Sequence, residues 1–322
     1  MNNILYIVIP CYKEEEVLPE TAKQMKNKVE NLVSKGKIDS RSRVLFVNDG
    51  STDKTWPIIR QLSEKDKIFA GINLSRNRGH QNALLAGLSI AVEHADMIIS
   101  IDADLQDDIN AIDHMIDDYL EGYEVVYGVR AERNTDTVFK RLTAQGFYKI
   151  MMFMGANIVY NHADYRLMSK RALKALLEFP ETNLFLRGMV PQVGFKSTSV
   201  SYNRAERFAG ESKYPLKKMI AFAFEGITSF SIKPIRFILL LGGAMFVISI
   251  IAFLIILIQK LTGITDNGWA SIMTSIWLLG GLHLLAIGIV GEYVGKAYLE
   301  TKRRPRFFIE EIILNSDKIR IE

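Results

Sequence analysis

Three short clusters of carboxylates and amides hold the residue types from which a phosphate-handling site is built. They are Pro10-Cys11-Tyr12-Lys13-Glu14, then Asn48-Asp49-Gly50-Ser51-Thr52-Asp53, then Asp102-Ala103-Asp104-Leu105-Gln106-Asp107. Two carboxylates one residue apart can converge on a hard divalent cation, and oxygen ligands of this kind suit Mg²⁺ or Mn²⁺, which keep phosphate oxygens in their shell. Taken singly, each cluster also has a plain reading. Asp-x-Asp often marks a turn, Asp49 fits an Asx-turn, and Thr52 or Asp53 fits a helix cap. Three such clusters, each following an apolar run, point to one site.

The elements that must position them follow from periodicity. Residues 4–10, 43–47, 69–74, 97–101 and 125–128 are short apolar runs of strand type. Between them, residues 17–33, 53–67, 79–94 and 107–119 repeat apolar residues at helical spacing, for example Leu84, Leu88, Ala91 and Val92. Strands alternating with helices predict an α/β domain with a mostly parallel, Rossmann-like sheet. In such sheets ligands sit beyond the carboxyl ends of the strands, where the three clusters fall. The pattern gives way near Tyr202 to a basic, aromatic stretch.

Composition bounds the rest. The chain has 322 residues with one cysteine, Cys11, so an intrachain disulfide is excluded. Forty basic against 36 acidic residues give +4, a balance that does not call for nucleic-acid binding. With 48% hydrophobic residues the chain is not a disordered one. The apolar excess lies toward the C-terminus. Residues 237–258 carry no charge, and residues 268–291 have His283 as their only ionisable member. About 20 such residues span a bilayer core as a helix, so two transmembrane helices in a hairpin are expected over 234–292. Lys233 and Arg236 precede the pair, and Lys296, Lys302, Arg303, Arg304 and Arg306 follow it. The positive-inside rule then puts both chain ends and the N-terminal domain in the cytoplasm of a multi-pass protein of the plasma or inner membrane. Residues 216–230 mix Lys217 and Lys218 with Met219, Ile220, Phe222 and Phe224. Beside a span this reads as an amphipathic interfacial helix, within a region taken as 213–233. No signal peptide is read at the start, where the apolar run is short.

The three clusters resemble those of the GT-A inverting glycosyltransferases of family 2. The resemblance narrows to the polyprenyl-phosphate glycosyltransferases, both the bactoprenol glucosyltransferases and the dolichyl-phosphate mannose synthases. It does so through Ala163-Asp164-Tyr165-Arg166-Leu167-Met168-Ser169, Arg207-Phe208-Ala209-Gly210-Glu211-Ser212-Lys213-Tyr214 and Gly291-Glu292-Tyr293. It implies a GT-A domain over 1–212 and a cytoplasmic tail over 293–322. Residues 307–322 match nothing in the resemblance.

By the same resemblance, Pro10, Tyr12, Glu14, Asp49 and Arg76 meet the nucleotide, and Asp102 stands between nucleotide and metal. Asp104 and Gln106 hold the metal with Asp102. Asp164 faces the sugar, so Asp104 and Asp164 are the expected catalytic pair. A structural pairing of Asp164 with Arg166 is the alternative. Arg130, Lys140, Arg141, Arg207, Ser212 and Lys213 correspond to the clamp on the acceptor phosphate. The stretch 130–141 reads equally as a basic flap or a solvated loop. The Gln-x-x-Arg-Trp motif of processive synthases is missing, which favours single transfer. The implied reaction moves one sugar, glucose from UDP-glucose by preference, onto undecaprenyl phosphate, with Mg²⁺ or Mn²⁺ as cofactor. GDP-mannose, UDP-GlcNAc and an amino-arabinose donor stay open, as does a non-catalytic nucleotide-sugar scaffold. A homo-oligomer, with a tetramer as the form the family suggests, is the implied assembly.

Overall fold

The computed structural model describes residues 3–131, 162–181, 186–203, 233–262, 268–314 and 317–320. Lys140, Arg141, Arg207, Ser212, Lys213 and the expected interfacial helix over 216–230 lie outside the described residues. The described residues fall into two units, one α/β and one helical.

The α/β unit begins with alternating elements. They are β1 (Leu5–Cys11), α1 (Leu18–Ser34), β2 (Arg43–Asn48), α2 (Thr55–Lys65), β3 (Phe69–Leu74), α3 (His80–His94), β4 (Met97–Ser100), α4 (Ala111–Leu120) and β5 (Val125–Arg130). There follow β6 (His162–Ser169), α5 (Lys170–Leu177), the short α6 (Leu186–Met189) and β7 (Ser197–Tyr202). The sheet order is β7-β5-β6-β4-β1-β2-β3, extended by β8 (Ile309–Leu314) and β9 (Asp317–Arg320).

Strands β4, β1, β2 and β3 run parallel, as the alternating pattern predicts. Beyond them the sheet is mixed. β6 pairs antiparallel with both β4 and β5, and β8 pairs antiparallel with β3. β7 pairs parallel with β5. Antiparallel neighbours need no crossover back to the same end of the sheet, so β6 and β8 can join in the opposite sense.

All seven residues of β1 are buried, as expected of a strand covered on both faces. Leu18, Ala22, Met25, Val29 and Leu32 turn one stripe of α1 onto Leu5, Ile7 and Ile9. Helix α3 lies closer still. A methyl group on Gly87 would stand 2.4 Å from Val8 Cγ1 and 2.7 Å from Val47 Cγ2, so only hydrogen fits there. This contact holds the N-terminus of α3 over the carboxyl ends of β1 and β2. α2 starts at Thr55 after Lys54, two residues later than the expected start. Asp53 Oδ1 accepts from Thr55 N at 3.1 Å.

The helical unit consists, among the described residues, of α7 (Lys233–Leu261) and α8 (Trp269–Thr301). Phe237, Leu239, Leu240, Leu284 and Leu285 are exposed. One stretch of the described residues, Leu279–Thr301, is long and apolar enough to cross a membrane, and none of it is buried.

Candidate functional site

Parallel register brings the strand ends together. Cys11 pairs with Asn48, and Asn48 with Asn73, so the turns after β1, β2 and β3 leave the sheet side by side. Backbone and side chains then stitch these turns to one another. Asp49 N donates to Cys11 O at 2.9 Å, Lys13 N to Ser51 Oγ at 3.1 Å, and Glu14 N to Thr55 Oγ1 at 3.0 Å. Tyr12 is left exposed above them. Asp49 itself is buried, with Oδ1 accepting from Arg78 N at 2.7 Å and Oδ2 from Gly79 N at 2.9 Å. Its carboxylate thus anchors the loop that carries Arg76, whose side chain is exposed. Burial raises the Asp49 pKa, and those two amide donors oppose the rise. Gly50, at φ +60°, packs against the backbone of Arg76 and Asn77.

Left-handed backbone marks the same edge. Lys13 and Leu105 have φ of 57° and 56°, conformations costly for residues with a Cβ. Each sits inside one of the three clusters, where strained backbone commonly gathers at functional sites.

Past β4, the carboxylates converge with β6. Asp164 is buried, and its Oδ1 lies 2.6 Å from Arg166 Nη2. Its Oδ2 lies 3.1 Å from Arg187 Nη2, on α6. Ser100 Oγ donates to the Asp164 carbonyl at 2.5 Å, fixing the strand beneath it. The pairing with Arg166 is therefore present, and it does not occupy Asp164 alone. Burial by itself would raise the Asp164 pKa. Arg187 and Arg166 outweigh it and hold the group far below the carboxylate range.

Asp102 behaves in the opposite way. Burial pushes its pKa up to about 6, against the pull of His80, and Asp164, Asp107 and Asp104 add to the rise. His80 Nε2 stands 3.5 Å from Asp102 Oδ1 and 3.7 Å from Asp164 Oδ2. One imidazole at the start of α3 thus bridges the two aspartates. Asp104 Oδ1 accepts from Gln106 N at 3.2 Å, closing the turn that carries the third cluster. Arg130, at the end of β5, lies 3.7 Å from buried Asp107, which also accepts from Tyr202 OH at 2.6 Å.

The fold therefore gathers Pro10, Tyr12, Glu14, Asp49, Asp102, Asp104, Gln106 and Asp164 along the carboxyl edge of the sheet. Arg130 stands in an ion pair on the far side of β6. His80 and Arg187 carry no signal in the sequence. His80 lies in an ordinary helix start and Arg187 in a plain Leu-Arg-Gly, and only folding sets them against Asp164.

Among the described residues no three His, Cys, Asp or Glu side chains converge as a metal-holding group. The donor set nevertheless fits a hard divalent ion. Asp102 and Asp104 offer carboxylate oxygens and Gln106 an amide oxygen, and Mg²⁺ is commonly held by one or two carboxylates with substrate phosphates completing the shell. Asp102 Oδ1 is buried and accepts no hydrogen bond, which leaves an oxygen for such an ion.

Comparison with known proteins gives a consistent picture. The model of "Glycosyl transferase family 2" matches residues 6–177. The uncharacterized glycosyltransferase YkoT of Bacillus subtilis is 54% identical, over 97% of this chain and 93% of its own. A prophage bactoprenol glucosyl transferase homolog of Escherichia coli is 38% identical over 95% of this chain and 98% of its own. The bactoprenol glucosyl transferase of Shigella phage SfV is 38% identical over 94% and 97%. Among solved structures, mannosyl-3-phosphoglycerate synthase from Rubrobacter xylanophilus covers 69% of this chain and 71% of its own at 14% identity, with a TM-score of 0.46.

Proposed function

The chain belongs to glycosyl transferase family 2, and from that premise we propose that it moves a single sugar from a nucleotide donor to a polyprenyl phosphate. Glucose from UDP-glucose is the preferred donor, and undecaprenyl phosphate the acceptor. The observation that carries the reading is the buried Asp164, held ionised by Arg166 and Arg187 and bridged to Asp102 by His80. Relatives with 38% identity along nearly the whole chain, named bactoprenol glucosyl transferases, support the lipid acceptor.

The chemistry follows from charge. A phosphate acceptor is already ionised near neutral pH, so attack on the anomeric carbon needs no general base. Asp164 is in any case a poor base, because two guanidinium groups stabilise its charged form. It orients the sugar instead and opposes the positive charge that develops as the donor bond stretches. Arg187 is a third exposed at the rim of the site and can meet a phosphate with charge-assisted hydrogen bonds while still touching Asp164. Tyr12, Glu14 and Arg76 line the nucleotide end, and Asp49 holds that end in shape. Asp102, Asp104 and Gln106 would hold Mg²⁺ or Mn²⁺, which supplies Lewis-acid stabilisation of the departing diphosphate. A single displacement inverts the anomeric centre.

A lipid acceptor needs a membrane. The unburied apolar stretch Leu279–Thr301 supports one membrane helix. A second over residues 237–258, and the α/β domain on the cytoplasmic side, rest on the charge-free run there and on the flanking lysines and arginines. The clamp of Arg130, Lys140, Arg141, Arg207, Ser212 and Lys213 and a homo-oligomer, a tetramer by resemblance, complete the proposal.

The test uses the purified full chain in detergent with Mg²⁺ or Mn²⁺, undecaprenyl phosphate and a panel of labelled nucleotide sugars. Label from one donor should appear in the organic extract and vanish on chelation. No label from any donor, with nucleotide still bound, would refute transfer and favour a non-catalytic nucleotide-sugar scaffold.

A further inference from the structure

Near the C-terminus the chain returns, as β8, to the sheet edge next to the nucleotide end of the site. β8 pairs antiparallel with β3, Ile312 opposite Ile72 and Glu311 opposite Asn73. Ser75 N donates to Phe308 O at 3.0 Å, and Arg60 Nη2 meets Glu311 Oε2 at 2.6 Å. The register then shifts between Asn73 and Leu74, which pairs with Ile309. Glu310 is the residue left over in that bulge.

Its side chain starts a chain of hydrogen bonds that runs inward. Asn73 Nδ2 donates to Glu310 Oε2 at 2.8 Å. Asn48 Nδ2 donates to Asn73 Oδ1 at 2.7 Å. Ser51 N donates to Asn48 Oδ1 at 3.3 Å, and Ser51 Oγ accepts from Lys13 N at 3.1 Å. Asn48 is buried, so its amide has no solvent to turn to.

The direction of this chain is set at one end. A carboxylate can only accept, so Asn73 must present its NH₂ group to Glu310 and its oxygen to Asn48. Asn48 must then give its NH₂ group to Asn73 and its oxygen to Ser51 N. Reversing Asn73 alone would set its NH₂ against that of Asn48, and reversing both would set the Asn48 NH₂ against the Ser51 N–H, donor to donor in either case.

We propose that Glu310 is a positioning residue for the nucleotide end of the site, acting through Asn73 and Asn48 on the turn that carries Asp49, Gly50 and Ser51. The C-terminal strand is then a working part of the donor site rather than a trailing tail. This rests on the donor-site reading given under Proposed function.

The substitutions separate hydrogen-bond direction from charge. Glu310→Gln keeps an acceptor oxygen for Asn73. Glu310→Lys offers only donors and withdraws the acceptor that fixes the two amides. Glu310 is exposed, so neither change burdens folding. In the full chain in detergent, E310K should weaken UDP binding and raise the donor KM by about three- to tenfold, the worth of one hydrogen bond, with kcat nearly unchanged. E310Q should match the wild type. Amide exchange across residues 49–53 reads the relay without any ligand and should speed up in E310K alone. Unchanged exchange in E310K overturns the relay, and so does E310Q failing as E310K does. A wild type that binds neither UDP nor GDP, with exchange still responding to E310K, overturns the donor-site reading and the nucleotide role of Glu310 with it.

Discussion

Replacing Asp164 with Asn removes a carboxylate that two guanidinium groups share. Arg187 is about a third exposed and can turn its charge to water, whereas Arg166 is 3% exposed and cannot. Breaking a buried ion pair from one side costs about 3–5 kcal/mol, because the remaining charge is left without compensation. For a domain of this size each kcal/mol lowers Tm by about 2–4 °C, so D164N should melt roughly 6–20 °C below the wild type. Adding Arg166→Met removes the stranded charge and fills its space with an unbranched apolar chain, a replacement that is often close to neutral. About 1 kcal/mol should stay lost, since Arg166 Nη1 also donates to Leu186 O at 3.4 Å. Activity separates from stability in this pair. If Asp164 orients the sugar, D164N/R166M regains most of its Tm while sugar transfer stays down by about 100-fold or more. Thermal melts followed by the lipid-labelling assay on the same preparations read both quantities. Recovery of transfer along with Tm would reduce Asp164 to a structural partner of Arg166. A wild-type Tm in D164N would refute the shared-pair reasoning itself.

Two other perturbations test the frame of the site. Gly50→Ala places a methyl group 2.4 Å from the Arg76 carbonyl carbon and 2.5 Å from Asn77 N, backbone atoms that cannot swing aside. With the left-handed φ added, it should weaken UDP binding by about tenfold or more, measured by calorimetry, with a loss of stability of about 1–3 kcal/mol. Asp113→Asn cuts the tie between α1 and α4, where Lys28 Nζ lies 2.7 Å from Asp113 Oδ2. Burial alone would raise the Asp113 pKa, and Lys28, with Lys35 and Lys37 behind it, outweighs burial, so the folded value is lowered. A lowered folded pKa stabilises above the ordinary carboxylate range and ceases to do so as pH falls through the folded value. The variant should therefore melt about 2–4 °C low at pH 7, for roughly 1 kcal/mol, and should converge on the wild type once pH falls below the lowered folded value. A constant difference across that range would exclude the ion pair as its source.

The centre of the sheet is legible in the order of residues alone. Apolar runs such as Leu5–Cys11 bury both faces of a strand, and helical spacing in Leu18–Ser34 buries one stripe of a helix, so local pattern dictates both. The acidic clusters are legible for a related reason: parallel strands all end on one edge. The partners of those carboxylates are not. Asp49 is expected to face a nucleotide, and its oxygens hold the amides of Arg78 and Gly79. Glu310 and Asn73 are 237 residues apart, and no periodicity links two strands that distant in the chain.

Residue type and spacing by themselves thus determined the βα frame, the edge on which the acidic clusters gather and the apolar C-terminal helices. Those properties depend on neighbours within a turn or a strand. Tertiary structure alone decided that β6 enters the sheet antiparallel, that His80 bridges Asp102 and Asp164, and that Arg187 shares Asp164 with Arg166. It also decided that the chain's last strands close the open edge of β3. Charge pairing and edge pairing act between groups close in space, and closeness in space is set by the assembled fold.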